Sequence, residues 1–238
     1  MMKSKGAFFI TSTGTELGKT YLSEKIIGEL VRRQATIDCY KPILSGFDNK
    51  NLIFNDSAKL LLASKKTVTM KNIEFITPWL FKSPIAPTMA AKKENKKISY
   101  QRLKSWCLKR INSSLSNFIL FEGAGGVMVP IEKQKTFIDL FQHINTPVIL
   151  VVGSYLGTVS HTLSALDNLH KRNIKVINVV INEGINRNKK AFTENILLLK
   201  DSIKKNLSIR ILSTNSQVSS KQIKLIVNDI EEYFKKMA

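Results

Sequence analysis

The stretch Thr13-Gly14-Thr15-Glu16-Leu17-Gly18-Lys19-Thr20 has the residue types of a phosphate cradle. A phosphate chain is held by converging backbone N–H groups, a helix N-terminus, a lysine charge and a hydroxyl that can reach Mg2+. Gly18-Lys19-Thr20 supplies the turn, the cation and the hydroxyl. The strict pattern G-x-x-x-x-G-K-[ST] opens on glycine, and Thr13 stands in that place. Context restores the reading. An apolar run at 7–11 precedes the turn, and a segment at 19–33 follows it with Leu22, Ile26, Ile27, Leu30 and Val31 at helical spacing.

Three further groups could act beside such a site. Lys41, in Tyr40-Lys41-Pro42-Ile43-Leu44-Ser45-Gly46, sits at a strand end, where a cation can steady transferring negative charge. A surface lysine before a turn fits equally well, and Ser45 is free to bond a ligand. Asp56 opens a helix, so it either caps that helix or helps to hold Mg2+. Glu122 closes an apolar run and is followed by Gly123-Ala124-Gly125-Gly126, which lets backbone approach a ligand. A carboxylate at the end of a buried strand is seldom there for packing. His143, His161 and His170 have no metal-ligand spacing, although His161 follows the Gly157 turn on the expected active face.

These groups need a scaffold, and the apolar pattern predicts one. Strands are expected at 7–11, 36–40, 117–122, 147–152, 174–181 and, weakly, 209–212. Helices are expected at 19–33, 56–63, 99–111, 136–144, 158–172, 192–204 and 219–236. The stretch 67–87, with Pro78, Pro84 and Pro87, reads as loop. Alternating strands and helices predict an α/β fold: one three-layer domain over 1–238 with a mainly parallel central sheet. Ligands of such sheets lie beyond the carboxyl ends of the strands. The phosphate turn, Lys41, Glu122 and Asn182 all fall there.

Composition narrows the partners. The chain has 238 residues, 37 basic against 18 acidic, for a net charge of +19. Such a balance suits anionic ligands or nucleic acid. Its lysines are scattered, however, and the run Lys92-Lys93-Glu94-Asn95-Lys96-Lys97 lacks the aromatic residues that stack on bases, so it reads as a solvated linker. No nucleic-acid partner is expected. Cys39 and Cys107 form no disulfide framework or metal motif. The apolar run Ala7-Phe8-Phe9-Ile10 is too short for a signal peptide or a membrane span. A cytoplasmic protein with no membrane partner is expected.

Taken in order, the motifs resemble those of the dethiobiotin synthetase family, within the P-loop NTPase superfamily, over most of the chain. The family pattern G-T-x-T-x-V-G-K-T is met from Ser12 to Thr20, with Ser12 in place of the first glycine. Y-K-P-x-x-S-G is matched in full by 40–46, and N-S-D shortens to Asn55-Asp56. V-E-G-A-G-G is matched by 121–126. V-I-L-V-V-G-x-x-L-G is matched by 148–157, with Ser160-His161 beyond it. N-D appears as Asn182-Glu183.

The resemblance implies ATP- and Mg2+-dependent carboxylation and ring closure of 7,8-diaminononanoate with carbon dioxide. By position, Lys19 and Lys41 would be catalytic, and Thr20, Asp56 and Glu122 would hold Mg2+. Glu16, Leu17, Gly18, Lys19, Thr20, Tyr21, Asp56, Glu122, Gly123, Ala124, Gly125, Asn182 and Glu183 would bind the nucleotide, with Asn182 reading the adenine. Thr15, Ser45, Gly126 and Ser160 would bind the second substrate. A homodimer is implied, with the substrate tail at the interface near 157–161. A partitioning-type ATPase is the main alternative, but it carries a signature lysine five residues before Lys19, where this chain has Gly14. A related amide-forming synthetase would carry a glutaminase domain, for which 238 residues leave no room.

Overall fold

The computed structural model describes residues 6–184, 189–203, 207–213 and 216–237. Met1 to Lys5 and the expected helix end at Lys204 lie outside them. The chain runs β1 (Gly6–Ser12), α1 (Lys19–Arg32), β2 (Ile37–Tyr40), β3 (Ile43–Ser45), α2 (Asp56–Ala63), α3 (Met70–Ile76), β4 (Trp79–Phe81) and α4 (Pro87–Lys93). It continues through α5 (Tyr100–Ser113), β5 (Phe118–Gly126), β6 (Pro130–Glu132), β7 (Lys135–Thr136), α6 (Phe137–His143) and β8 (Val148–Gly153). It finishes with α7 (Thr158–Lys171), β9 (Val176–Asn182), α8 (Lys189–Ser202), β10 (Ser208–Leu212) and α9 (Ser216–Lys236).

Six strands form one parallel sheet in the order β10-β9-β8-β1-β5-β2. This is the expected α/β architecture. Both faces are covered, so β1 and β8 are buried at every position. Phe121 of β5 is the hinge of the aromatic packing. Its ring lies 4.9 Å from Phe9, 5.3 Å from Tyr40 and 6.4 Å from Trp106. On α1, Leu22, Ile26, Ile27 and Leu30 point into this core.

The structure corrects four expectations. The stretch 67–87 is not all loop. The Thr69 side chain accepts from Asn72 N and starts α3, which buries Ile73 and Ile76. Pro78 precedes β4, which pairs in parallel with β3, and Pro87 opens α4 at its first turn. The prolines therefore punctuate short elements rather than prevent them.

The 92–97 run is not a free linker either. Lys92 and Lys93 end α4, and Glu94 Oε1 accepts from the backbone N–H groups of Lys82 and Ser83 at 2.7 and 3.2 Å. Thirdly, Glu122 does not end its strand. β5 continues to Gly126, because a register shift between Ile10 and Ser12 lets Ser12 pair with Gly126. Fourthly, β6 and β7 form an antiparallel hairpin that the apolar pattern does not show. Among the described residues, no helix is long and apolar enough to cross a membrane.

Phe121 is fully buried. Phe121→Ala should cost about 3–5 kcal/mol, the usual price of removing a core aromatic ring. Urea unfolding of the two proteins measures the difference.

Candidate active site

The loop after β1 turns into α1 through Gly18, whose φ is 94°. A Cβ there would lie 2.2 Å from Asn182 Nδ2. Only glycine allows this turn with Asn182 pressed against it. Asn182, at the end of β9, donates to Leu17 O at 3.0 Å and so braces the loop from the neighbouring strand end.

The densest feature lies under the loop. Lys41 Nζ donates to Glu122 Oε1 at 2.6 Å and to Gly123 O at 3.3 Å, and pairs with Asp56 Oδ2 at 2.9 Å. Thr20 Oγ1 donates to the same Glu122 oxygen at 2.7 Å, and Ser23 Oγ to the other at 2.6 Å. Lys41 and Glu122 are buried almost completely. Burial pulls Lys41 down, but the Glu122 and Asp56 charges outweigh it and hold the ammonium above its ordinary range. Burial likewise pushes Asp56 up, and the Lys41 charge and hydrogen bonds from Lys41 and Thr20 overcome it, leaving the carboxyl below its usual value.

Lys19 behaves oppositely. Its Nζ donates to Ser12 Oγ at 3.0 Å and to Gly14 O at 3.1 Å, neither of which is charged. Burial first, and then repulsion from Lys41, lowers it to about 8 against the opposing pull of Glu122 and Asp56.

These groups open onto a cleft of about 620 Å³. Of the sequence-predicted residues, Thr15, Glu16, Gly18, Lys19, Thr20, Tyr21, Lys41, Ser45, Asp56, Ala124 and Gly125 line it. Ser45 Oγ is buried and has no partner among the described residues. Glu122 and Gly123 lie behind the wall, reached through Lys41. Leu17, Gly126, Asn182 and Glu183 are off the lining. Gly126 packs on the phosphate loop, where a Cβ would meet Thr13 O at 3.2 Å, and Glu183 Oε2 accepts from Ser213 Oγ at 2.8 Å. Ser160 is exposed on the first turn of α7, away from the cleft.

Sequence reasoning missed Ser23, although it stands four residues after Lys19 on the same helical face. It also missed Lys59 and the 84–87 segment, both in the cleft wall.

Asp56 and the Thr20 hydroxyl are hard-oxygen groups on the cleft lining, with Glu122 behind them, of the kind Mg2+ takes when waters and substrate phosphates complete its shell. Among the described residues, no cluster of three or more His, Cys, Asp or Glu could hold a metal unaided. The residues therefore fit an ion shared with a nucleotide rather than a metal cage.

Comparison with known proteins agrees with this geometry. A family model described as an AAA domain matches residues 6–219. An ATP-dependent dethiobiotin synthetase of Caulobacter sp. (strain K31) is 37% identical over 179 residues, 75% of this chain and 76% of its own length. One from Endomicrobium trichonymphae is 32% identical over 216 residues, 88% of this chain and 93% of its own. The chain belongs to the dethiobiotin synthetase family. It is thus a synthetase of the ATP-dependent ligase class.

Solved structures show the fold alone. The synthetase is similar to cobyrinic acid a,c-diamide synthase of Mycobacterium smegmatis, solved with an ATP analog and magnesium, at TM-score 0.60 and 10% identity over 99% of this chain and 98% of that one. It is similar to the septum site-determining protein MinD of Pyrococcus horikoshii OT3, solved with Mg-ADP, at TM-score 0.56 and 11% identity over 99% of both chains.

The lowered Lys19 gives a pH dependence. Above about 8 the free synthetase loses this proton, whereas bound phosphates favour the charged form. Nucleotide binding must then take up a proton, so affinity should fall by up to about ten-fold per pH unit between about 8 and the ordinary lysine value. The unfolded chain keeps its proton through that window, so the same group makes the unliganded fold more stable as pH rises. Titration calorimetry in buffers of different ionisation enthalpy should show uptake approaching one proton at about pH 9 and little at about pH 7. Equal affinity at both would remove the effect.

Proposed function

We propose that the synthetase carboxylates one amine of 7,8-diaminononanoate with carbon dioxide and closes the ureido ring of dethiobiotin with ATP. The observation that carries this reading is the buried Lys41 ammonium, clasped by Asp56 and Glu122 in the wall of the cleft onto which the phosphate loop opens.

The amine adds to carbon dioxide and releases a proton, giving a carbamate. A carbamate oxygen attacks the γ-phosphorus as its bond to the ADP oxygen breaks. The second amine then attacks the carbonyl carbon of the mixed anhydride, loses a proton and expels phosphate, leaving the ring. Phosphoryl transfer asks the protein mainly for position and charge. Lys19 faces the phosphates, and Lys41 offers a cation already out of water to the carbamate oxygen and the transferring group. The Ser45 hydroxyl, buried in the cleft wall and without a partner among the described residues, supports a hydrogen bond to the carbamate or its parent amine, since buried hydroxyls normally have a partner. Thr15 lines the same cleft. Thr20, Asp56 and Glu122 would hold Mg2+, which would supply charge neutralisation on the phosphates. Asn182, now bracing Leu17, keeps amide capacity for the adenine.

We read the chain as one cytoplasmic domain acting as a homodimer. The fully exposed Leu156, one turn from Ser160, supports a subunit contact there that would receive the substrate tail.

Purified protein given ATP, Mg2+, bicarbonate and the diamine should form dethiobiotin, detected by mass. ATP turnover indifferent to the diamine would sink the reading. Lys41→Ala should lower turnover about 10²–10³-fold, the scale of losing one preorganised charge donor. Binding of an ATP analogue should change by no more than about three-fold, since Lys41 faces the transferring group rather than the bound nucleotide. Parallel losses would deny Lys41 its transition-state role.

A further inference from the structure

We propose that Ser12 is a positioning residue for Lys19, fixing the phosphate-loop ammonium before nucleotide arrives. This rests on the reading of the cleft as a nucleotide site.

Ser12 ends β1 and is fully buried. Its Oγ accepts from Lys19 Nζ at 3.0 Å. Its single proton faces two carbonyls, Gly14 O in the phosphate loop and Gly125 O, 3.0 Å away, in the glycine-rich end of β5. One hydroxyl thereby joins three parts of the site: the lysine, the loop that precedes it and the strand end beyond Glu122. Gly125 has φ 65°, and a Cβ there would lie 2.7 Å from Val129 Cγ2, so the carbonyl that Ser12 meets is set by a backbone that only glycine fits.

The consequence falls on Lys19. An ammonium has three N–H groups on a long, flexible stem. Ser12 Oγ takes one and Gly14 O a second, leaving one to bridge to a phosphate. Two acceptors define a direction where one defines only a distance. The rotamer freedom that binding would otherwise remove is already gone. In this chain a serine stands where the family pattern has glycine, and a glycine would leave Nζ with the Gly14 carbonyl alone.

A space-filling serine would produce the same burial, so the test must pass through Lys19. Binding of a non-hydrolysable ATP analogue with Mg2+ is titrated to the native protein, Ser12→Ala, Lys19→Ala and the double variant. No diamine is present, so failure of the carboxylation reading leaves the experiment intact. Ser12→Ala should weaken binding about five-fold in the native background, the scale of one hydrogen bond, and by less than about two-fold beside Lys19→Ala, because coupled residues are non-additive. Equal weakening in both backgrounds overturns the proposal, as does no weakening in either. Ser12→Gly, which removes the hydroxyl and adds no atom, is run through the same cycle. Thermal melting without nucleotide confirms that each variant is folded.

Discussion

A cation taken out of water survives as a cation only if opposite charge meets it there. The Lys41 ammonium is the place where this structure satisfies that condition, and three elements converge to do so. The lysine follows β2, Asp56 begins α2, and Glu122 lies inside β5. α1 closes the group from above with Thr20 and Ser23. Replacing such a pair by apolar residues is often neutral or better for stability, whereas removing one partner typically costs about 3–5 kcal/mol. A buried ion pair is therefore poor material for a core and good material for a site. Its desolvation has been met in folding, so the field is already in place when charge moves.

The two lysines of the cleft show how neighbours decide what one side chain can do. Lys41 has two carboxylates and keeps its proton firmly. Lys19 has a hydroxyl and a carbonyl, and gives up its proton at about 8. The first carries a firmly held charge. The second has only neutral hydrogen-bond partners, so its charge stays available to an anion in the cleft. Had Asp56 and Glu122 sat against Lys19, the phosphate loop would be neutralised from within and would attract anions less.

Much of this was legible in the residues. The alternation of apolar strands and amphipathic helices fixed the parallel sheet, and the strand-end rule picked out the phosphate turn, Lys41 and Glu122. What stayed hidden depended on distance in the chain. Ser23 looks like an ordinary serine on α1 until β5 brings a carboxylate oxygen within 2.6 Å. Glu122 looks like a strand end because Gly123-Ala124-Gly125-Gly126 resembles a turn, yet the ladder to Ser12 carries β5 through it. The short elements α3 and β4 were masked by prolines, because composition marks where a chain breaks more clearly than what lies between breaks.

Fold and chemistry come from different parts of the molecule. The sheet places a phosphate cradle at its centre, and proteins as different as a septum site-determining protein and a diamide synthase share that fold at about a tenth identity. Fold alone therefore leaves the second substrate open. Beside the cradle stands the β3–β4 ribbon, outside the main sheet, which brings Ser45 to the cleft. Ser45 is its last paired residue, opposite Phe81. Gly46 N and Phe47 N then bond Ser83 O and Phe81 O at 3.2 and 2.9 Å. Gly46, at φ 78°, lets the chain pass Pro84, whose Cβ would lie 3.2 Å from any side chain added there. The ribbon thus holds the Ser45 hydroxyl and the 84–87 wall together on the lining of the cleft that Lys41 and the phosphate loop also line. Under the proposed reading, a second substrate bonded by Ser45 would share one cleft with the Lys41 ammonium and the phosphate loop, as transfer between them requires.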